Sequence, residues 1–300
     1  MSMLCIGAGG WAYFRVPGMD RLAAYAKAFD FVEVNSTFYT TPSIEMVRSW
    51  RKRVPPDFMF SVRCHQDLTH KYFLTPIPES HEILHNSLRI CNELRAEVLH
   101  IQTPASFDPH EKLKDIRDLI SSFNFGKIRL AWEIRGQITR ETIELMRDLG
   151  IIQCTDISRQ LPDIDSDIIY TRLFGRGEHN LYQFDDTEMR QIDERVKEKS
   201  TSVAYLTFHG AKMYMDAARL KVYEKSRSFP NLTKTTGLAS IKSVLEEDAK
   251  FPATKSELIE KQGWKVFDLS DVEHVHACML LEKLPDRRYV DVEDVIGALK

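Results

Sequence analysis

The sequence has no cysteine pair at CxxC spacing, no long hydrophobic run and no excess of charge of one sign, and each absence removes a class of function. Its five cysteines, Cys5, Cys64, Cys91, Cys154 and Cys278, are scattered and odd in number. That argues against a disulfide framework or a cysteine-rich zinc site and for reduced, buried thiols. No apolar stretch approaches the roughly 20 residues needed to cross a bilayer, and the opening MSMLCIGAGGW lacks a basic segment followed by an apolar one. The expectation is a cytoplasmic protein with no membrane partner. The formal net charge is only −3, with 31 Lys/Arg against 31 Asp/Glu in residues 1–229 and 10 against 13 in residues 230–300. Bulk electrostatics therefore give nucleic-acid binding no support. A dinucleotide cradle is missing as well, because Gly7-Ala8-Gly9-Gly10 lacks the GxGxxG register.

What is present is a regular alternation. With 43% hydrophobic and 28% charged residues the chain can bury a large core. Strand-like runs recur at Leu4–Gly7, Phe31–Asn35, Met59–Arg63, Val98–Gln102, Ile128–Glu133, Ile151–Thr155, Ile168–Leu173 and Val203–His209, separated by amphipathic segments. Thr41 before Pro42, and Thr139 before Glu141, read as helix starts. Eight such units predict an α/β fold, a TIM-like (β/α)8 barrel over residues 1–229. A basic helix, Ala211–Arg227, ends at the turn Phe229-Pro230-Asn231. Residues 230–249 read as a linker, and residues 250–300 as a small, mostly helical C-terminal module. In that module Thr254–Glu257 is a capping box, Gly263 a helix stop, Trp264–Phe267 a short strand, Ser270–Glu273 a second capping box and Asp291 a last cap.

In a barrel of this kind the chemistry sits where strands end. Phe31–Tyr39, FVEVNSTFY, delivers Glu33 and Asn35 to one face of a strand, with Thr37 and Tyr39 just beyond. The other strand ends carry Arg63 and His65, Gln102, Glu133 and Arg135, Asp156, Arg172, and His209 with Lys212. Three arginines at one mouth suit an anion, since guanidinium forks match phosphate or carboxylate oxygens. The bland alternative is a neutral network in which those arginines pair with Glu33, Glu133 and Asp156. A divalent metal is a candidate cofactor through Glu33, His65, Glu133, Asp156 and His209, although no HxH or HExxH spacing supports it. Glu33 and Glu133 could also serve as acid and base, with His65, His70 or His209 titrating near neutrality. The basic run Lys212, Arg219, Lys221, Lys225 and Arg227 reads as a solvated helix face, and His274 and His276 as helical residues on different faces. Trp11, Tyr13, Phe38 and Tyr39 read as loop packing or as stacking surfaces.

Seven segments in order resemble the YecE-like proteins, domain of unknown function 72. They are the glycine-rich start ending in Gly10-Trp11, FVEVNSTFYTTPS, VRSWRKRVPPDFMFSVR, IQTPASF, LAWEIRG, Asp156 and YTRLFG. The resemblance implies a TIM-like barrel and supplies no reaction. The family's polar pattern falls on Glu33, Asn35, Ser36, Thr37, Tyr39, Arg63, Gln102, Glu133, Arg135, Asp156 and Arg172. The family usually carries a lysine where Arg63 stands, a histidine where Phe174 stands and an asparagine pair near His209-Gly210. A proton-transfer role tied to that histidine has no carrier here. The tail from FPATKSELIEKQGWKVFD to the end resembles domain of unknown function 2795. The leading functional expectation is a hydrolase or lyase acting on a phosphate-containing substrate, such as a phosphodiester, nucleotide or nucleic acid. In that reading Glu33, Glu133, Asp156 and His209 are the catalytic candidates. Asn35, Thr37, Tyr39, Arg63, His65, Gln102, Arg135, Arg172 and Lys212 bind substrate. A metal-dependent sugar or sugar-phosphate isomerase and a non-catalytic anion-binding or scaffold protein are the alternatives.

Overall fold

The computed structural model describes residues 3–199 and 201–300; the reading of Met1 and Ser2 lies outside them. Eight strands form one sheet: β1 Met3–Ala8, β2 Phe31–Val34, β3 Met59–Arg63, β4 Val98–Thr103, β5 Arg129–Ile134, β6 Ile152–Gln153, β7 Ile168–Leu173 and β8 Val203–Phe208. They pair in parallel in the order β6-β5-β4-β3-β2-β1-β8-β7. A bridge between Thr155 and Thr171 joins the two outer strands, so the sheet closes on itself. Closure there is thin because β6 pairs over two residues only, and the Arg172 N–H reaches the Thr155 carbonyl at 3.3 Å. The chain divides into two compact units. One runs to Leu173 and includes Arg195–Phe208; the other comprises Phe174–Glu194 and His209–Lys300.

In the first unit the strands are buried on both faces, which is why they read as nearly continuous apolar runs. Phe31, Val98, Ile168, Val203 and Tyr205 fill the barrel interior as one cluster. From Phe31 the two-residue period of a strand carries Glu33 inward as well. The helices pack their apolar faces outside, and side-chain caps start several of them. Asp20 caps Arg21–Ala28 by accepting the Ala23 N–H, and Thr139 caps Arg140–Asp148 as expected. The helix after β2 starts two residues later than expected: Ser43, not Thr41, accepts the Met46 N–H. The Ser36–Phe38 turn occupies the chain before it.

β1 and β2 are fastened by a side chain. The buried Tyr25 hydroxyl accepts the Ala8 N–H at 2.8 Å and donates to the Phe31 carbonyl at 2.9 Å. Gly7 permits the close approach, because a Cβ there would lie 2.1 Å from the Phe31 oxygen.

In the second unit, residues 230–249 hold the helix Leu238–Glu246, whose Ile241, Val244 and Leu245 join Leu258, Phe267 and Tyr289 in a core. A segment expected to be a linker is thus folded. Thr254 and Glu257 form the expected capping box, Gly263 ends that helix and Asp291 caps Val292–Ala298. Ser270–Glu273, expected to open a helix, is instead the turn of a hairpin between Val266–Ser270 and Glu273–His276. The pairing of Phe267 with Val275 decides this, a contact that local capping chemistry cannot reveal. His274 and His276 therefore sit on a strand and share a face, contrary to the helical reading. The basic helix runs Met213–Ser226, and its Arg219 is buried rather than solvated, paired with Asp186 at 2.6 Å. Asp268, fully buried, accepts the N–H groups of Leu232 and Thr233 and so anchors the segment after Phe229.

Replacing Tyr25 by Phe should leave the Ala8 N–H and Phe31 carbonyl without this partner and destabilise the protein by about 1–3 kcal/mol. Urea unfolding measures it; an unchanged midpoint would mean the hydroxyl is dispensable.

Candidate functional site

The inward residues of six strands form two polar layers above the apolar cluster. The lower layer holds Glu33, Ser61, His100, Cys154 and Tyr170, all buried, and the upper layer holds Asn35, Arg63, Gln102, Glu133 and Arg172. Each upper residue stands two positions after a lower one on its own strand, except that Glu133 follows Ala131 and Cys154 has no partner above it. The strand register puts Glu33 beside Ser61, Arg63 beside His100 and Gln102 beside Glu133.

Arg172 links the layers. Its Nε lies 3.2 Å from Glu33 Oε2 and its Nη1 2.5 Å from Glu133 Oε2, and Nη1 also donates to Gln102 Oε1 at 3.2 Å. The Tyr170 hydroxyl donates to Glu33 Oε2 at 2.7 Å and sits 2.7 Å from Ser61 Oγ. Arg63 donates to two amide oxygens, Asn35 Oδ1 and Gln102 Oε1, at 2.6 Å each, and its guanidinium lies 3.5 Å over the Phe38 ring. Its buried Nε has no hydrogen-bond partner among the described residues. Arg135, half exposed, donates from Nε to Glu133 Oε1 at 3.0 Å. His100 is fully buried and stacked on Tyr170, with Nε2 3.4 Å from Glu133 Oε2 and Nδ1 3.9 Å from Glu33 Oε2; neither nitrogen is aligned for a hydrogen bond.

These contacts set the charges. Burial alone would raise the Glu133 pKa, but Arg172 and His100 outweigh it and hold the carboxyl well below its ordinary range. Burial opposes charge on Arg172 too, yet Glu33 and Glu133 keep it firmly protonated. Burial, aided by Arg172, pulls Arg63 down to about 10 and keeps His100 neutral. Burial also raises the Cys154 thiol. Two carboxylates thus face three guanidiniums, and Arg63 is the one whose side-chain partners are uncharged.

His100, Glu133 and Cys154 offer one ligand atom each within 4.8 Å of one another, a candidate divalent-metal site. The N, O and S donor set and the unaligned His100 nitrogens suit zinc best. An ion there would share Glu133 Oε2 with Arg172.

Of the residues chosen from sequence, Glu33, Asn35, Arg63, Gln102, Glu133, Arg135 and Arg172 are brought together. Others hold the loops in place. The Thr37 hydroxyl lies 2.7 Å from the Val34 carbonyl and 2.6 Å from that of Arg63. His65 Nδ1 accepts the Asp67 N–H, and Asp156 Oδ1 accepts the Ser158 N–H and hydroxyl. Tyr39 is exposed against Phe38, and Trp11 packs edge-on against Trp50. His209 and Lys212 belong to the second unit, where His209 stacks on Phe174 and Lys212 pairs with Glu247 at 2.6 Å. Sequence reasoning missed Ser61, His100, Cys154 and Tyr170, which the two-residue period, stepped one layer back from each strand end, would have found.

The model of the family described as "Protein of unknown function DUF72" matches residues 5–228. The chain belongs to this family. The UPF0759 protein YecE of Escherichia coli (strain K12) is 31% identical over 142 residues, 41% of this chain and 47% of that protein. The chain thus spans about half the length of the curated relatives it matches. Among solved structures, a DUF72 family protein from Thermotoga maritima MSB8 superposes with a TM-score of 0.60 at 21% identity, covering 75% of this chain and 100% of that one. One from Enterococcus faecalis V583 gives 0.59 at 17% identity, covering 75% and 98%. A "xylose isomerase-like TIM barrel/4-hydroxyphenylpyruvate dioxygenase fusion protein" gives 0.50 at 16% identity over 76% of this chain and 43% of that one. These structural likenesses establish the barrel. The family match ends before the C-terminal module, whose own resemblance rests on its residues alone. Among the described residues, no helix is long and apolar enough to cross a membrane.

Replacing Arg172 by Met should strand two buried carboxylates and cost about 3–5 kcal/mol, and adding Glu33→Gln should restore part of it. Glu133, with its pKa depressed, contributes stability that is complete above its unfolded value of about 4.3 and is lost as pH falls through the lower folded value. Glu133→Gln should therefore flatten the acid limb of the stability–pH profile; an unaltered limb would contradict the assignment.

Proposed function

We propose that the barrel mouth is the active site of an isomerase or epimerase acting on a sugar or sugar phosphate. The observation that carries this reading is the surplus buried cation, Arg63, above a neutral imidazole and a pair of neutralised carboxylates. A guanidinium with uncharged partners and an unpaired buried Nε attracts an anionic oxygen, either a phosphate or the oxyanion of an enediolate.

Proton transfer in the metal-free site then falls to His100, because an ion at His100, Glu133 and Cys154 would take up the one lone pair of its neutral ring. Glu133 is held too low to be an effective base at neutral pH, whereas His100 is uncharged, with one ring nitrogen carrying a lone pair and neither engaged in a hydrogen bond. Glu33, hydrogen-bonded to Tyr170, lies close enough to stabilise the imidazolium as it forms. Arg172 and Arg63 stabilise negative charge developing on substrate oxygens. A divalent ion at His100, Glu133 and Cys154 would polarise a carbonyl or hydroxyl oxygen, or acidify a bound water. The xylose isomerase-like name of one structural neighbour agrees with this substrate class.

The phosphate-directed hydrolase or lyase remains the second reading, favoured by the metal-competent triad. A nucleic-acid substrate fits poorly, since the chain's charge is nearly balanced and Arg135 and Arg172 are engaged by carboxylates.

A panel of aldoses, ketoses and their phosphates, incubated in D2O with Zn2+ or Mn2+ and followed by proton NMR, tests the proposal. Exchange of the proton next to the carbonyl is expected. His100→Gln should slow it by about 10²–10⁴-fold, and Arg63→Ala should mainly raise KM. Absence of exchange across the panel, with turnover of an aryl phosphodiester instead, would favour hydrolysis.

A further inference from the structure

A second cluster of metal-ligating side chains lies wholly within the second unit and plays no part in the reading above. Asp185, Glu188 and His276 offer one ligand atom each within 4.8 Å of one another. His276 Nε2 is 3.3 Å from Glu188 Oε2 and 3.9 Å from Asp185 Oδ2. Zinc–ligand bonds of about 2.0–2.1 Å in a tetrahedron give ligand–ligand edges of about 3.3–3.4 Å. The His276–Glu188 separation matches such an edge, and the His276–Asp185 separation is longer.

Each ligand is already aimed by a partner on its far side. His276 Nδ1 lies 3.2 Å from the Trp264 carbonyl, which can only accept, so that nitrogen carries the hydrogen and Nε2 faces the two carboxylates. A bare lone pair opposite two carboxylate oxygens is repulsive, so a positive charge belongs between them. Asp185 Oδ1 accepts the Glu188 N–H at 2.9 Å, which turns Oδ2 toward His276. Glu188 Oε1 accepts the Tyr182 hydroxyl, and Oε2 accepts the Asp185 N–H at 3.1 Å while also facing the ring. Outer partners of this kind fix ligand orientation in metal sites. The three side chains are 16–22% exposed, so an ion can reach them and a water can complete the shell.

We propose that Asp185, Glu188 and His276 form a divalent-cation site of zinc-like preference, separate from the barrel mouth, clipping the start of the helix Asp186–Glu198 to the hairpin strand Glu273–His276. Without metal the same geometry is satisfied by a proton.

Equilibrium dialysis of the full chain against Zn2+ tests this, using Cys154→Ala to disable the mouth cluster. Cys154→Ala should bind zinc, and Co2+ in its place should show four-coordinate ligand-field bands without thiolate charge transfer. Adding His276→Gln should weaken zinc binding by more than about 100-fold, beyond the 10–100-fold expected for losing an outer partner as in Tyr182→Phe. If the His276 variant does not fold by circular dichroism, Cys154→Ala with Asp185→Asn reads the same loss. Zinc held equally by Cys154→Ala and by the folded His276 or Asp185 double variant overturns the proposal, as does a Cys154→Ala protein that takes up no zinc. Neither result bears on sugar chemistry at the mouth.

Discussion

The barrel interior depends on one guanidinium placed between two carboxylates from different strands. Glu33 is fully buried and Glu133 largely so, and burial disfavours an isolated charge on either. Arg172 offsets that penalty by touching both. Its position propagates outward. Gln102 Oε1 accepts from both Arg172 and Arg63, which sets its amide orientation, and Arg63 is then left with amide partners and the Phe38 face. The network is thus closed around Arg172 and open around Arg63. The proposed anion site rests on that imbalance.

The second unit repeats the use of buried polar chemistry with a different result. Asp186 is held by Arg219 and His274, and Asp268 by backbone N–H groups and His274. These groups are satisfied and serve as staples. Asp185, Glu188 and His276 differ because their facing atoms all prefer a cation. Neighbouring residues in one strand, His274 and His276, thus join one completed network and one cluster open to a metal.

Much of the fold was legible in the residues. All eight barrel strands were placed within a residue or two, since apolar runs buried on both faces are hard to mistake. Thr139, Thr254 and Asp291 were read correctly as caps because capping is local chemistry. Two of the errors have one origin. Ser270–Glu273 has the residues of a capping box but lies between paired strands, and Arg219 looked solvated until Asp186 was brought to it from a distant segment. In the site, Glu33, Gln102, Glu133 and Arg172 were found because they end strands. His100 and Tyr170 were not, because they lie one layer deeper and looked like ordinary core residues.

The sequence alone determined the barrel, the strand ends that line its mouth and the charged types delivered there, because strand period and hydrophobic burial are properties of neighbouring residues. Only the tertiary structure decided which charges neutralise which. Arg172 rather than Arg63 bridges the carboxylates, Asp156 turns to its own loop, and His276 meets Glu188 from 88 positions away. Pairing energies depend on distance and on exclusion of water, and both are fixed only when the strands have closed.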